Sequence, residues 1–232
     1  MVSCDRFAKH YSADEITANS QKVNAFLDKR FDESVARNPE FAANLGLKTG
    51  YDSWSERTDS AYFAELAFSC ATLDSLKQFD VQGLDEQTKL SIRLFEESVK
   101  LSEEDSVWRK HYYSITQMGG EHNDIPSFLI NIHRVDSLSD ARAYLSRLSK
   151  IERVFAQVIA QLKSREAIGV LPPKFTFPYV SDDLKAFIAG LSKTDDANIL
   201  LADFSAKINT DFIPKEEQAK MKAEAQQILS TS

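Results

Sequence analysis

From Ser137 onward, Leu138, Ala141, Leu145, Leu148, Ile151, Phe155, Val158, Ile159 and Leu162 recur at steps of three and four, as far as Gly169. Side chains at that spacing share one face of an α-helix, and charged residues fill the rest. The pattern therefore predicts one long amphipathic helix with Gly169 as its stop. The same period runs through Ile16, Val23, Phe26, Leu27, Phe31 and Val35, ending before Pro39. It returns from Ser60 to Gln78 in Phe63, Leu66, Cys70, Leu73 and Leu76, which makes Cys70 a small core residue on this reading. A third helix follows Asp85 through Leu90, Leu94 and Val99 towards Trp108.

Start and stop signals agree with the period. Ser12-Ala13-Asp14-Glu15 is a capping box, and Asp85 and Ser137 stand where helix caps are needed. Pro39-Glu40-Phe41 opens a short helix ending near Gly46, and shorter helices are expected near Ser181–Ala189, Ala197–Ile208 and Lys215–Leu229. Leu171-Pro172-Pro173 forces an extended connector, with short strand pieces expected around Phe175–Val180. Seven glycines and six prolines leave little room for tight turns. The fold class expected is all-α, an irregular array of about seven or eight helices. An irregular segment is expected near residues 109–136, where aromatics, histidines, Gly119-Gly120 and Pro126 break any period. Residues 1–11 read as a tail, and residues 12–232 as a single helical domain.

A net charge of −7, with 28 basic residues scattered among 35 acidic ones, argues against nucleic acid as a partner. No run of roughly eighteen apolar residues is present, so no transmembrane segment is expected. The two cysteines, Cys4 and Cys70, fit no zinc or redox spacing. Met1-Val2-Ser3-Cys4 reads like the end of a bacterial lipoprotein leader, which would make Cys4 a lipidation site. The other reading is an incidental cysteine.

Phosphate loops, dinucleotide fingerprints, nucleophile elbows and calcium loops are all missing from the sequence. His10, His111, His122 and His133 have no second histidine at zinc-protease spacing, so no catalytic residue and no metal ligand is assigned. Glu121-His122, beside Gly119-Gly120, is the best local place for polar function. Glycines let a ligand approach the backbone, and a histidine can donate, accept or titrate. A tight turn with a solvated or structurally hydrogen-bonded histidine is the alternative. His133 with Asp136 is read chiefly as the approach to the cap at Asp136 or Ser137.

Asn38-Pro39-Glu40-Phe41-Ala42-Ala43-Asn44-Leu45-Gly46-Leu47 is followed, in order, by three further motifs. They are Gln117-Met118-Gly119-Gly120 with His122 through Leu129, Tyr144-Leu145-Ser146-Arg147-Leu148, and Gly169-Val170-Leu171-Pro172-Pro173-Lys174-Phe175. From about residue 20 to its end, the chain resembles the bacterial family called domain of unknown function 885. The resemblance implies similarity to helical zinc metallopeptidases of the gluzincin type, many of them lipoproteins of the periplasm or cell envelope. Their zinc motif, an HExxH-like helix, lies in the C-terminal part of a longer chain. This sequence stops before that part, so no cofactor is expected in it, and zinc only in the missing region.

What remains resembles the N-terminal helical portion, which forms one wall of a substrate cleft. Gln117, Gly119, Gly120, Glu121 and His122 are the cleft-lining candidates by position. The implied partners are a C-terminal catalytic region, a peptide ligand and a lipid anchor at Cys4. Two readings follow, beside a third, an independent enzyme using Glu121 and His122, for which the sequence shows no orienting partner. A catalytically inactive region of a longer peptidase should expose an apolar patch where the rest docks. A stand-alone envelope binding or scaffold protein should have a covered surface.

Overall fold

Helices begin where a side chain can accept from backbone N–H groups that lack an intrahelical partner. The computed structural model describes residues 9–191 and 198–231, so Cys4 and the rest of residues 1–8 lie outside the described residues. Ser12 and Glu15 form the expected reciprocal box, at 2.8 and 3.2 Å, and start α1 (Ala13–Arg37). Asn38 accepts from Phe41 N at 3.0 Å and starts α2 (Pro39–Asn44), with Pro39 at a first-turn position that needs no N–H. The helices α3 (Asp59–Leu76) and α4 (Glu86–Asp105, capped by Asp85) follow. After them come α5 (Glu121–Asn131), α6 (Leu138–Ser149, capped by Ser137), α7 (Ile151–Glu166) and α8 (Thr176–Leu191). The described chain closes with α9 (Ile199–Ile208) and α10 (Lys215–Thr231). The described residues contain ten α-helices and no strand, so the all-α class holds with more helices than the period suggested.

The structure departs from these expectations at four places. The helix expected from Ser137 to Gly169 breaks at Lys150, with φ −97° and ψ −3°. In a continuous helix the Arg147 carbonyl would accept from Ile151 N. Here it takes the Trp54 indole N–H at 2.9 Å and Lys150 N at 3.2 Å. The segment expected to stay irregular to residue 136 instead forms α5 from Glu121, with Pro126 inside it. The region expected to hold short strand pieces is the start of α8, where Pro178 stands in the first turn and again sacrifices no bond. Cys70 is half-buried rather than core, its Sγ 3.6 Å from the Glu103 carboxylate.

Contacts group the chain into two compact units, one through Ser34 plus Asp59–Arg109, the other Val35–Thr58 plus Lys110 onward. The chain passes between them three times, so no single linker marks a boundary. In the first unit, Val23, Leu76, Leu84 and Ile92 form the core, with Phe26, Leu27, Phe79 and Phe95 packed on it. In the second, α6 is central. Its Ala141, Tyr144, Leu145 and Leu148 are buried with Leu200, Leu201 and Phe204 of α9 and Met221 and Ala225 of α10. Each buried leucine there contributes about 2 kcal/mol.

At the centre of the second unit lies a fully buried cation. Arg147 donates to Ser53 O at 3.0 Å, Pro39 O at 3.3 Å and His133 Nδ1 at 3.2 Å. Its guanidinium sits over the rings of Phe128, Tyr51 and Trp54, with centroids at 4.6, 5.1 and 5.3 Å. Burial lowers its pKa to about 10, against the pull of Glu40. His133 Nε2 lies 3.1 Å from the Asp140 carbonyl, which can only accept. Nε2 therefore carries the proton, Nδ1 is left to accept from Arg147, and the ring is neutral. Burial, with the Arg147 and Lys207 charges, lowers the His133 pKa from 6.5 to about 4.

Two outcomes follow from this centre. Arg147→Met leaves three buried acceptors without their donor, and should cost about 3–5 kcal/mol in urea unfolding at neutral pH followed by Trp54 fluorescence. A near-neutral result would mean that the guanidinium holds nothing together. Below pH 6.5 the unfolded chain takes up a proton at His133 that the folded chain refuses until about pH 4. The stability from this site is therefore complete above pH 6.5 and falls by up to about 3 kcal/mol as the pH drops towards 4. His133→Gln should flatten the stability-against-pH curve in that window, and an unchanged slope would show that the folded ring protonates normally.

Candidate functional site

The residues singled out in the sequence, Gln117, Gly119, Gly120, Glu121 and His122, fall on one turn and the helix start that follows it. Thr116 and Gly119 exchange backbone bonds at 3.0 and 3.3 Å, and Thr116 Oγ1 accepts from Met118 N at 3.1 Å. The turn this closes leaves Met118 exposed at its tip. Gly120 then starts α5 with φ 134°, a region that side chains rarely adopt. A Cβ there would stand 2.7 Å from Ser114 O and 3.0 Å from Ile115 Cα. Only glycine lets the helix start lie this close to the strand of chain before the turn.

The first turn of α5 is clamped by charge. Arg57 donates to Glu121 Oε1 at 2.6 Å and to Glu40 Oε1 at 2.9 Å, tying α5 to α2. Burial works against the Arg57 cation, but Glu121 and Glu40 outweigh it and hold its pKa above the ordinary arginine value. Glu40 also accepts from Ser55 N at 3.0 Å and from the Ser55 hydroxyl. At the other end of α5, Lys207 donates to Leu129 O at 2.5 Å and Ile130 O at 2.8 Å, placing a cation on the C-terminal carbonyls as the helix dipole favours. Asp203 holds Lys207 at 2.9 Å and accepts from the Tyr144 hydroxyl at 2.9 Å.

The five residues are thus brought together, but their roles differ. The Glu121 carboxylate is committed to Arg57. His122 is not the solvated turn residue that the sequence allowed: it is only 7% exposed, and neither ring nitrogen has a partner among the described residues. Gln117 Oε1 and Ser114 Oγ are likewise buried without a hydrogen bond among the described residues. Sequence reasoning missed Arg57, Glu40 and Ser114. Arg57 stands in a turn-rich stretch with no period, so the ion pair was not legible; Glu40 beside Pro39 signalled only a helix start.

A separate apolar cavity of about 370 Å³ lies between the 112–115 segment, α7 and α8. Tyr112, Ile159, Leu162, Phe177 and Leu184 are among its lining, and none of the five sequence candidates is. Among the described residues no three His, Cys, Asp or Glu side chains are grouped to hold a metal ion.

Gly120→Ala should disturb this site first. The clash with Ser114 O and the unfavourable φ together should cost about 2–4 kcal/mol, read as a lower unfolding midpoint. Gly119→Ala meets no atom within 4 Å and should cost less. Equal losses at the two positions would contradict the close approach at Gly120.

The family model described as "Bacterial protein of unknown function (DUF885)" matches residues 39–232. Among solved structures, "the putative lipoprotein from Colwellia psychrerythraea" has the same fold, with a TM-score of 0.71 and 16% sequence identity. The alignment covers 91% of this chain and 38% of that one, so the chain spans well under half the length of that neighbour. No curated protein matches the chain. The match over residues 39–232, in a fold shared with that longer bacterial chain, means that the protein belongs to the DUF885 family.

Proposed function

We propose that this chain is the N-terminal helical region of a longer, zinc-metallopeptidase-like protein of the bacterial envelope. It supplies part of a substrate cleft, with the turn and first turn of α5 facing that cleft, and is not catalytic by itself. The observation that carries this reading is α8. The helix is apolar, yet among its described side chains only Thr176 is fully buried. Phe177, Tyr179 and Ile188 are more than half exposed, and so is Phe175 just before the helix. Leu171 and Leu184, which line the cavity beside the helix, are exposed as well, so α8 and its approach show solvent the kind of apolar surface that marks an interaction site. A covered surface, as expected of a stand-alone scaffold, is not what this helix has.

The length of the Colwellia neighbour supports the same reading, since most of that chain has no counterpart here. Its description as a lipoprotein accords with a lipid anchor at Cys4 and an envelope location. No helix among the described residues is long and apolar enough to cross a membrane, so tethering would fall to such an anchor. Zinc would belong to the region that docks on α8, and no residue of this chain is assigned to it.

The test compares one double substitution in two contexts. Phe177→Ser with Ile188→Ser should cost the 232-residue chain no more than about 1–2 kcal/mol, because both side chains are more than half exposed in it. In the gene product extended past Ser232, the same pair should cost at least about 3 kcal/mol, because both side chains are then covered. Equal effects in the two chains would mean that nothing docks on α8.

A further inference from the structure

We propose that two copies of this chain pair through the outward face of α4, antiparallel about a two-fold axis. The surface lies in the first compact unit, whereas α8 belongs to the second, so the inference goes beyond the docking reading. Helix α4 has two apolar faces. Thr88, Ile92 and Val99 are buried on one. Leu90, Leu94 and Leu101, at steps of four and seven, share the opposite face and are 41, 63 and 56% exposed. A helix that packs only on its own unit needs just the first of these faces. Leucines exposed in a row at helical spacing mark a surface for another helix.

Charge identifies the second helix as a copy of the first. Arg93, Glu97, Lys100 and Glu104 line one edge of the leucine stripe, all exposed, and their signs alternate along it. The other edge carries Ser91, Ser98 and Ser102, small and uncharged, which lets a neighbour come close. A two-fold axis across the stripe reverses one helix and brings like edges together. With the axis at the level of residues 98 and 99, Arg93 faces Glu104 of the second copy, and Glu97 faces Lys100 of the second copy. Symmetry repeats both pairs, so each of these charges meets its opposite. A copy laid parallel and in register would set each charge against its own kind. The same antiparallel register sets Leu90 against Val107, which is also exposed, and interleaves Leu94 and Leu101 around the axis. The four charges are not already committed. The one ion pair within α4 among the described residues, Glu86 to Lys89 at 2.8 Å, includes none of them. The face from Leu90 to Val107 is about 26 Å long and about 10 Å wide. That places the contact at the small end of specific interfaces, below about 1,200 Å² in total, so the dimer forms reversibly at about 0.1 mM chain.

The test is sedimentation equilibrium of the 232-residue chain between about 5 and 500 µM. The weight-average mass should rise from monomer towards dimer across that range. Glu97→Lys with Glu104→Lys makes the edge wholly positive, and Arg93→Glu with Lys100→Glu makes it wholly negative. Each pair of changes should weaken self-association at least about tenfold, since attractive contacts become repulsive ones. All four side chains are exposed, so both variants should keep the unfolding midpoint of the parent chain. An equimolar mixture of the two should associate again, with an affinity within about threefold of the parent, because opposite edges now face each other. A chain that stays monomeric at the highest concentration would overturn the proposal. So would association that neither reversal weakens, as expected if α8 or another apolar face carries it. Variants that fail to recover when mixed would overturn it too, since the charges would then act other than by facing one another. The α8 comparison reads docking through the stability of the extended chain, so either inference can fail while the other stands.

Discussion

The second unit is organised around a positive charge that cannot reach water. Arg147 sits on the core face of α6 between Leu145 and Leu148, fully buried and with no direct carboxylate partner among the described residues. What makes this tolerable is the completeness of its surroundings: two backbone carbonyls, one neutral imidazole and three aromatic faces. Each requirement fixes another segment. The Ser53 and Pro39 carbonyls hold the stretch around α2, and the neutral state of His133 fixes its tautomer and its bond to Asp140. The carbonyl of Arg147 itself takes the Trp54 indole and so ends α6. Removing the guanidinium would release all of these together.

This centre also helps to hold α5, whose first turn presents polar groups. Phe128 of α5 packs beneath Arg147, and Ile125 and Leu129 are core residues. Lys207 and Asp203 secure the far end, and Arg57 secures the near one. The helix is therefore held along its length, while buried polar atoms of Ser114, Gln117 and His122 have no hydrogen-bond partner among the described residues. The contrast with α8 is instructive. That helix is apolar but barely buried, as expected of a surface that takes part in packing only when more of the protein is present.

What was legible in the sequence was mostly local. The capping residues Ser12, Asp85 and Ser137 act where their spacing said they would. The apolar stripes located α1, α3 and α4, although Leu90 and Leu94 face outward while Ile92 and Val99 are buried. The break at Lys150 was invisible because it comes from Trp54, more than ninety residues earlier in the chain. Helix α5 was hidden because Gly119-Gly120 and Pro126 read as breakers, whereas the glycines lie just outside the helix and Ile125 and Leu129 supply its buried face. Helix α10 is mostly polar in sequence, so its few apolar residues say little about its packing, and Met221 and Ala225 are core residues. The five candidate residues were found by motif. That His122 is buried and Glu121 is paired with Arg57 depends on the fold, since sequence spacing carries no information on contacts 64 residues apart.

The central claim is that this chain is one region of a larger peptidase-like protein, and the most direct measurement is the coding DNA read in frame past Ser232. The result expected is an open frame that continues for several hundred codons and encodes a helix with an HExxH-like pair of histidines one turn apart. A stop codon directly after Ser232 would contradict it, and a binding or scaffold role in the envelope would then be the reading to pursue.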